Sequence, residues 1–194
     1  MVRKLFVLVL LTLATSVPGQ TDGDTPITAL VLVDIQEFYF PGGAMALVDP
    51  EPASARAGEL LAAFRGHGDL VVHVRHQAGA GMEIHADVAP LTGEVVITKE
   101  QVNSFRDTDL LDVLRDHGVT DLVLVGMQTH MCLEAATRAA ADLGFRCVVV
   151  GDACATRDLT HGETVVPAAD VQAATLATLA AYATITDTAT YLGR

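Results

Sequence analysis

Three side chains that could share one proton and one positive charge each follow an apolar, β-branched run. Asp34 follows ALVLV, Lys99 follows VVIT, and Cys132 follows LVLVGMQTHM, just where the helical stretch CLEAATRAAADL begins. A thiol is a nucleophile once its proton is taken, a carboxylate can take that proton, and a lysine can hold the carboxylate and support negative charge. Beyond the first residues Lys99 is the only lysine, and every other cation is an arginine. Lysine is a compact point charge, whereas arginine is a permanently charged planar fork. A cysteine at a helix start faces unpaired backbone amides and the positive end of the helix dipole. With a lysine beside it, its thiolate is expected to be stabilised, and the same amides could receive an oxyanion. Singly, each residue has an ordinary reading as a core thiol, a turn carboxylate or a solvated amine. Their joint placement at three strand ends favours chemistry.

The elements that must position them alternate. β-branched runs predict strands over Ala29 to Val33, Leu70 to Val74, Val95 to Ile97, Leu122 to Val125, Cys147 to Val150 and Thr184 to Thr186. Between them, helices are predicted over Pro52 to Arg65, Asp109 to His117, Cys132 to Leu143 and Ala168 to Tyr182. The first should bury Leu60, Leu61 and Phe64; the second, capped by Thr108, should bury Leu110, Leu111 and Leu114. Gly66, Gly68, Gly118 and Gly144 are expected to end helices in the left-handed region. Strands that are apolar throughout need helices on both faces, so the fold class is α/β, a three-layer doubly wound sheet of about six mostly parallel strands. Such sheets bind ligands at their carboxyl edge, where all three residues fall.

The chain has 194 residues, 12 basic and 24 acidic, for a net charge of −12. Its first residues, MVRKLFVLVLLTLATSVPGQ, carry Arg3 and Lys4 ahead of an apolar run from Leu5 to Leu13 and then small residues. This pattern predicts a secretory signal over residues 1–19 and a secreted or periplasmic protein, with one domain over residues 20–194. Without Arg3 and Lys4 the charge becomes about −14, which argues against nucleic-acid or anionic-membrane partners. Cys132, Cys147 and Cys154 are an odd number with no CxxC, so at least one is free or pairs between chains, and no zinc pattern is present. A disulfide between Cys147 and Cys154 faces an awkward strand-and-turn separation.

The segments ALVLVDIQEFYFPGG, VVITKEQVNSF and LVLVGMQTHMCLEAATRAAADLGFRCVVVGDACATRD resemble, in the same order, the isochorismatase-like cysteine hydrolases, a family that includes nicotinamidases and N-carbamoylsarcosine amidases. The stretch Gly126-Met-Gln-Thr-His-Met-Cys132 looks like the family's nucleophile loop. The resemblance implies that Asp34, Lys99 and Cys132 form a catalytic triad. It also implies a cis peptide between Met127 and Gln128, with the backbone amides of Gln128 and Cys132 as the oxyanion hole. The expected function is hydrolysis of a C–N bond in a small amide or carbamoyl compound through a Cys132 thioester, without a cofactor. Vinyl-ether cleavage of the isochorismatase kind, which does not depend on a cysteine nucleophile, fits less well. The competing readings are a catalytically silent ligand-binding or assembly protein on the same fold, and a thiol redox protein.

The resemblance thins after the second strand, in VVHVRHQAGAGMEIH. Arg75 and His76 stand where the family's metal-binding members would place lysine and aspartate, and Ala78 where a histidine ligand would be, so no metal is expected. His73 and His76 differ by three positions and should face opposite sides of a strand, with His73 a core residue. His76 and His85 are each read as either substrate contacts or surface residues. The substrate-binding candidates are Gln36, Phe38, Phe40, His76, Asn103, Phe105 and His130. Their phenylalanines could form an apolar wall, although core packing is the commoner fate of that residue. The family likeness also implies a homo-oligomer.

Overall fold

The computed structural model describes residues 26–77 and 79–193, so the expected leader and Ala78 lie outside the described residues. Six strands, β1 (Thr28–Val33), β2 (Leu70–His76), β3 (Val95–Lys99), β4 (Asp121–Met127), β5 (Arg146–Ala155) and β8 (Ala183–Thr186), form one sheet in the order β3-β2-β1-β4-β5-β8. Every pairing in it is parallel. The chain builds outward from β1 to β3, then returns to lay β4 on the other side of β1. The β1/β4 boundary is therefore the point where strand order reverses, and a crevice opens there at the carboxyl edge.

Period-two alternation sorts the core into two layers. Leu30 and Leu32 of β1 face Leu60, Leu61 and Phe64 of helix α1 (Pro50–His67) and Tyr191 of α5 (Thr188–Tyr191). Ala29, Val31 and Val33 face Leu110 and Leu114 of α2 (Leu110–Asp116), Ala136 and Ala140 of α3 (Glu134–Asp142) and Leu179 of α4 (Ala168–Leu179). Burying each of the large apolar side chains contributes about 1.5–3 kcal/mol. This is the expected three-layer arrangement, with all main-sheet strands parallel.

Several local expectations need correction. The first helix starts two residues early, at Pro50, because proline's fixed φ suits the first turn. It runs through Gly66 to His67, and Gly68, at φ +76°, takes the left-handed position. Leu111 is only half-buried, because the two-turn helix turns Leu110 and Leu114 inward. Thr108 does accept a hydrogen bond from the Leu110 amide, at 3.3 Å. The fifth strand runs on to Ala155, through a register shift opposite Leu124 and Gly126. A short antiparallel hairpin, β6 (Leu159–His161) and β7 (Thr164–Val166), stands apart from the main sheet; its three-residue strands carry too little periodicity to show in sequence.

Candidate active site

The carboxyl edge brings Asp34, Lys99 and Cys132 together, each by a different route. Asp34 ends β1 in a left-handed conformation, φ +51°, which aspartate tolerates better than most residues. Its amide still donates to Val74 O at 2.9 Å, one step beyond the regular pairing of the two strands. Lys99 is the last residue of β3 and shares the side of Val95 and Ile97, facing α2 and α3. Strand β3 lies two strands from β1, about 10 Å away, a span that a four-carbon side chain bridges. Lys99 Nζ stands 2.7 Å from Asp34 Oδ2 and donates to Cys132 Sγ at 3.3 Å.

Cys132 does not begin a regular helix, as the sequence suggested. It sits in a π-helical turn, Thr129–Leu133, that widens the backbone just before α3. Just upstream, Gly126 at φ +131° pairs with Val33, and a Cβ there would lie 2.0 Å from Val33 O. Only glycine lets β4 pass β1 so closely. The Met127–Gln128 peptide that follows is cis, as the family likeness implied.

The turn is pinned by the unpredicted end of β5. Thr129 Oγ1 donates to Ala155 O at 3.1 Å, His130 Nδ1 and Thr156 Oγ1 share a 2.6 Å hydrogen bond, and Arg157 Nε donates to Gln128 Oε1 at 3.2 Å. Sequence reasoning assigned no task to Thr129, Thr156 or Arg157.

The electrostatics overturn one expectation. Asp34 and Lys99 are 0% and 1% exposed and Cys132 is 5% exposed. Burial, and then the negative charge of Asp34, push the Cys132 thiol up to about 12, although Lys99 acts in the opposite direction. The thiolate is therefore not stabilised at rest, because desolvation and the Asp34 charge outweigh the lysine. Burial likewise raises Asp34 above the usual carboxylate range, against the pull of Lys99. Asp34 also has the Cys132 thiol as a hydrogen-bond partner, which sets a buried acceptor beside a thiol that is costly to ionise. Moving the proton from Cys132 to Asp34 keeps the net charge of the buried trio at zero, whereas losing it to solvent does not.

A cavity of about 470 Å³ opens over Cys132, within the size range of small-molecule sites. Of the sequence candidates, Phe38 and His76 line it. His76, held below its usual pKa by burial and then by Lys99, places Nδ1 3.2 Å from Lys99 Nζ. The others are engaged elsewhere. The buried Gln36 uses its amide on the backbone of His76 and Met82. Phe40 is buried and stacks on His85 at 3.8 Å, which places His85 as a packing residue beside Ser54. Asn103 caps the Phe105 amide, Phe105 packs toward Phe145, and His130 holds Thr156. Gln128, expected for the oxyanion hole, also lines the cavity, and missed lining residues include Tyr39, Met45, Val102 and Met131. Tyr39 carried a weak signal, since it lies between two candidate phenylalanines. Burial, and then the Cys132 charge, keep its hydroxyl protonated.

The histidines after the second strand do not converge. His73 lies on the α1 side against Glu94, while His76 faces Lys99. All three cysteines are free and buried, so Cys147 and Cys154 are not paired.

The comparisons agree with this architecture. An Isochorismatase domain model matches residues 28–190. An uncharacterized isochorismatase family protein of Bacillus subtilis is 44% identical over 177 residues, covering 85% of this chain and 98% of the relative. The maleamate amidohydrolase of Pseudomonas putida is 30% identical over 164 residues, covering 72% of this chain and 77% of that enzyme. A crystal structure described as an isochorismatase hydrolase from Oleispira antarctica superposes with a TM-score of 0.85 at 44% identity, covering 90% of this chain and all of that one. With the domain match spanning most of its length and a parallel sheet that superposes on a solved hydrolase, the chain belongs to the isochorismatase family of hydrolases.

Proposed function

We propose that the protein is a cysteine amidase, with Cys132 as nucleophile, Asp34 as the group that moves the proton and Lys99 as the cation that holds Asp34. The observation that carries this reading is the buried trio itself, set under the cavity: Nζ of Lys99 stands 2.7 Å from Asp34 and 3.3 Å from Cys132, and the thiol is hydrogen-bonded to the carboxylate. The amidohydrolase relative supports the choice of bond. A second reading, a thiol redox protein, draws less support from three buried, unpaired cysteines.

In the proposed reaction Asp34 accepts the Cys132 proton as Sγ attacks the amide carbonyl, and the backbone N–H groups of Gln128 and Cys132 receive the developing oxyanion. The tetrahedral intermediate collapses with cleavage of the C–N bond, and Asp34 returns the proton to the departing amine. Asp34 then takes a proton from water, which attacks the thioester; release of the acid restores the Cys132 thiol. The N-terminal sequence supports action outside the cytoplasm, and the family likeness supports a homo-oligomer.

The test is turnover of a panel of small amides by the full chain, with intact-mass detection of an acyl-enzyme. The expected result is ammonia or amine release that disappears in Cys132→Ala, together with an adduct that maps to Cys132. Turnover that survives in Cys132→Ala would contradict the assignment.

A further inference from the structure

We propose that the cavity over Cys132 selects uncharged amides carrying a flat apolar group and rejects carboxylate-bearing ones; the idea rests on the amidase reading and gives it a substrate class. The walls are Phe38, Met45, Val102 and Met131. The last three keep 39%, 39% and 37% of their surface exposed, although they are large apolar side chains. An apolar rim around a nucleophile gains free energy when a ligand covers it, and aromatic and thioether groups pack well against a planar ring.

No described lining residue is a lysine, arginine, aspartate or glutamate. The polar groups on the wall are Tyr39, His76, Gln77 and Gln128, and burial favours the neutral forms of the tyrosine and the histidine. Lys99, the cation nearest the thiol, already has Asp34, His76, Cys132 and the Gln101 carbonyl within 3.3 Å, more neighbours than an ammonium has protons. Arg157 is engaged with Gln128 Oε1 and does not line the cavity. A substrate carboxylate would therefore lose its water without a charged partner. The net charge of −12 adds long-range repulsion.

The experiment measures Cys132 alkylation in the full chain by iodoacetamide, N-benzyl iodoacetamide and iodoacetate, followed by peptide mapping. Each rate is divided by that reagent's rate with glutathione, which removes intrinsic reactivity. The expected order is N-benzyl iodoacetamide, then iodoacetamide, then iodoacetate, with the anion trailing by at least about tenfold, or about 1.4 kcal/mol. The gap should persist in about 1 M salt, where the Debye length is about 3 Å. Val102→Lys and Met45→Lys, both at exposed rim positions, should each raise the relative iodoacetate rate at least about fivefold. An anion as fast as the neutral reagents, a gap that vanishes in salt, or a gap unmoved by both lysine variants would overturn the proposal. Selective alkylation with no amide turned over would uphold the pocket chemistry and bring down the amidase reading instead. A Cys132 inert to all three reagents, yet alkylated after unfolding, would bring down both.

Discussion

Two carboxylates at opposite ends of the same sheet, Glu94 half-buried and Asp34 fully buried, behave in opposite ways. Glu94, just before β3, accepts from both Arg65 Nε and Nη2 at 2.7 Å and from the Leu91 amide at 2.7 Å, and shares a 3.0 Å hydrogen bond with His73 Nε2. Led by the Arg65 hydrogen bonds, these partners hold its pKa down at about 2. Asp34, at the carboxyl edge, has Lys99 2.7 Å from one oxygen and the Cys132 thiol as a further hydrogen-bond partner, and burial outweighs both to raise its pKa. A half-buried carboxylate gripped by an arginine fork is a fixed charge that ties α1 to the sheet; a fully buried one beside a thiol is a base. Burial separates the two roles: loss of water is the largest influence on Asp34, whereas the hydrogen bonds from Arg65 are the largest on Glu94.

The comparison can be broken from either side. The largest expected effect is from Lys99→Met, which leaves Asp34 buried without its cation. Breaking such a pair typically costs about 3–5 kcal/mol, so chemical denaturation should show a large loss of stability, with amide turnover lowered at least about a hundredfold. Glu94→Gln should cost about 1–3 kcal/mol and leave turnover within about twofold, because the change lies at the other edge. Its pH signature is specific. The folded pKa is depressed from 4.5 to about 2, so Glu94 contributes stability above pH 4.5 and that contribution is lost as pH falls toward about 2. The variant should flatten acid unfolding in that window.

Asp34 carries the opposite sign. Its folded pKa is raised above 3.8, so the stabilising neutral form is fully present below pH 3.8 and is lost as pH rises through the folded value. For the same reason kcat/KM should fall on acidification with a midpoint above the ordinary aspartate range, as the base is protonated. The smallest effect is expected from Arg157→Ala, which frees the Gln128 side chain: kcat lower by about three- to tenfold, with stability changed by less than about 1 kcal/mol.

Much of this was legible in the sequence because the signals were local. ALVLV, LVLV and VVV are apolar throughout and mark buried parallel strands, and a polar residue placed directly after such a run lies at a sheet edge. Asp34 and Lys99 could therefore be located before their contacts were seen, and Cys132 by its place at the start of the helical stretch. The cavity lining could not, because Met45, Val102 and Met131 lie in turns and loops whose course no periodicity reports. Gln36, Phe40, Asn103 and His130 read as site residues by proximity in sequence, yet each is taken up by a structural partner. The sign of the Cys132 shift failed for another reason: sequence shows which charges are near but not how much water is removed, and desolvation is the larger effect here.

The central claim is that Asp34 controls the Cys132 proton, and its most direct test is the pH dependence of Cys132 alkylation in the wild type and in Asp34→Asn, followed by peptide mapping alongside amide turnover. A free thiol titrates near about 8.5. The account predicts a wild-type midpoint far above that value, and an Asp34→Asn midpoint at least about one unit lower, since the carboxylate's charge is gone while Lys99 remains, with amide turnover abolished because nothing protonates the leaving amine. Equal midpoints in the two proteins, or amide turnover that persists in Asp34→Asn, would contradict it.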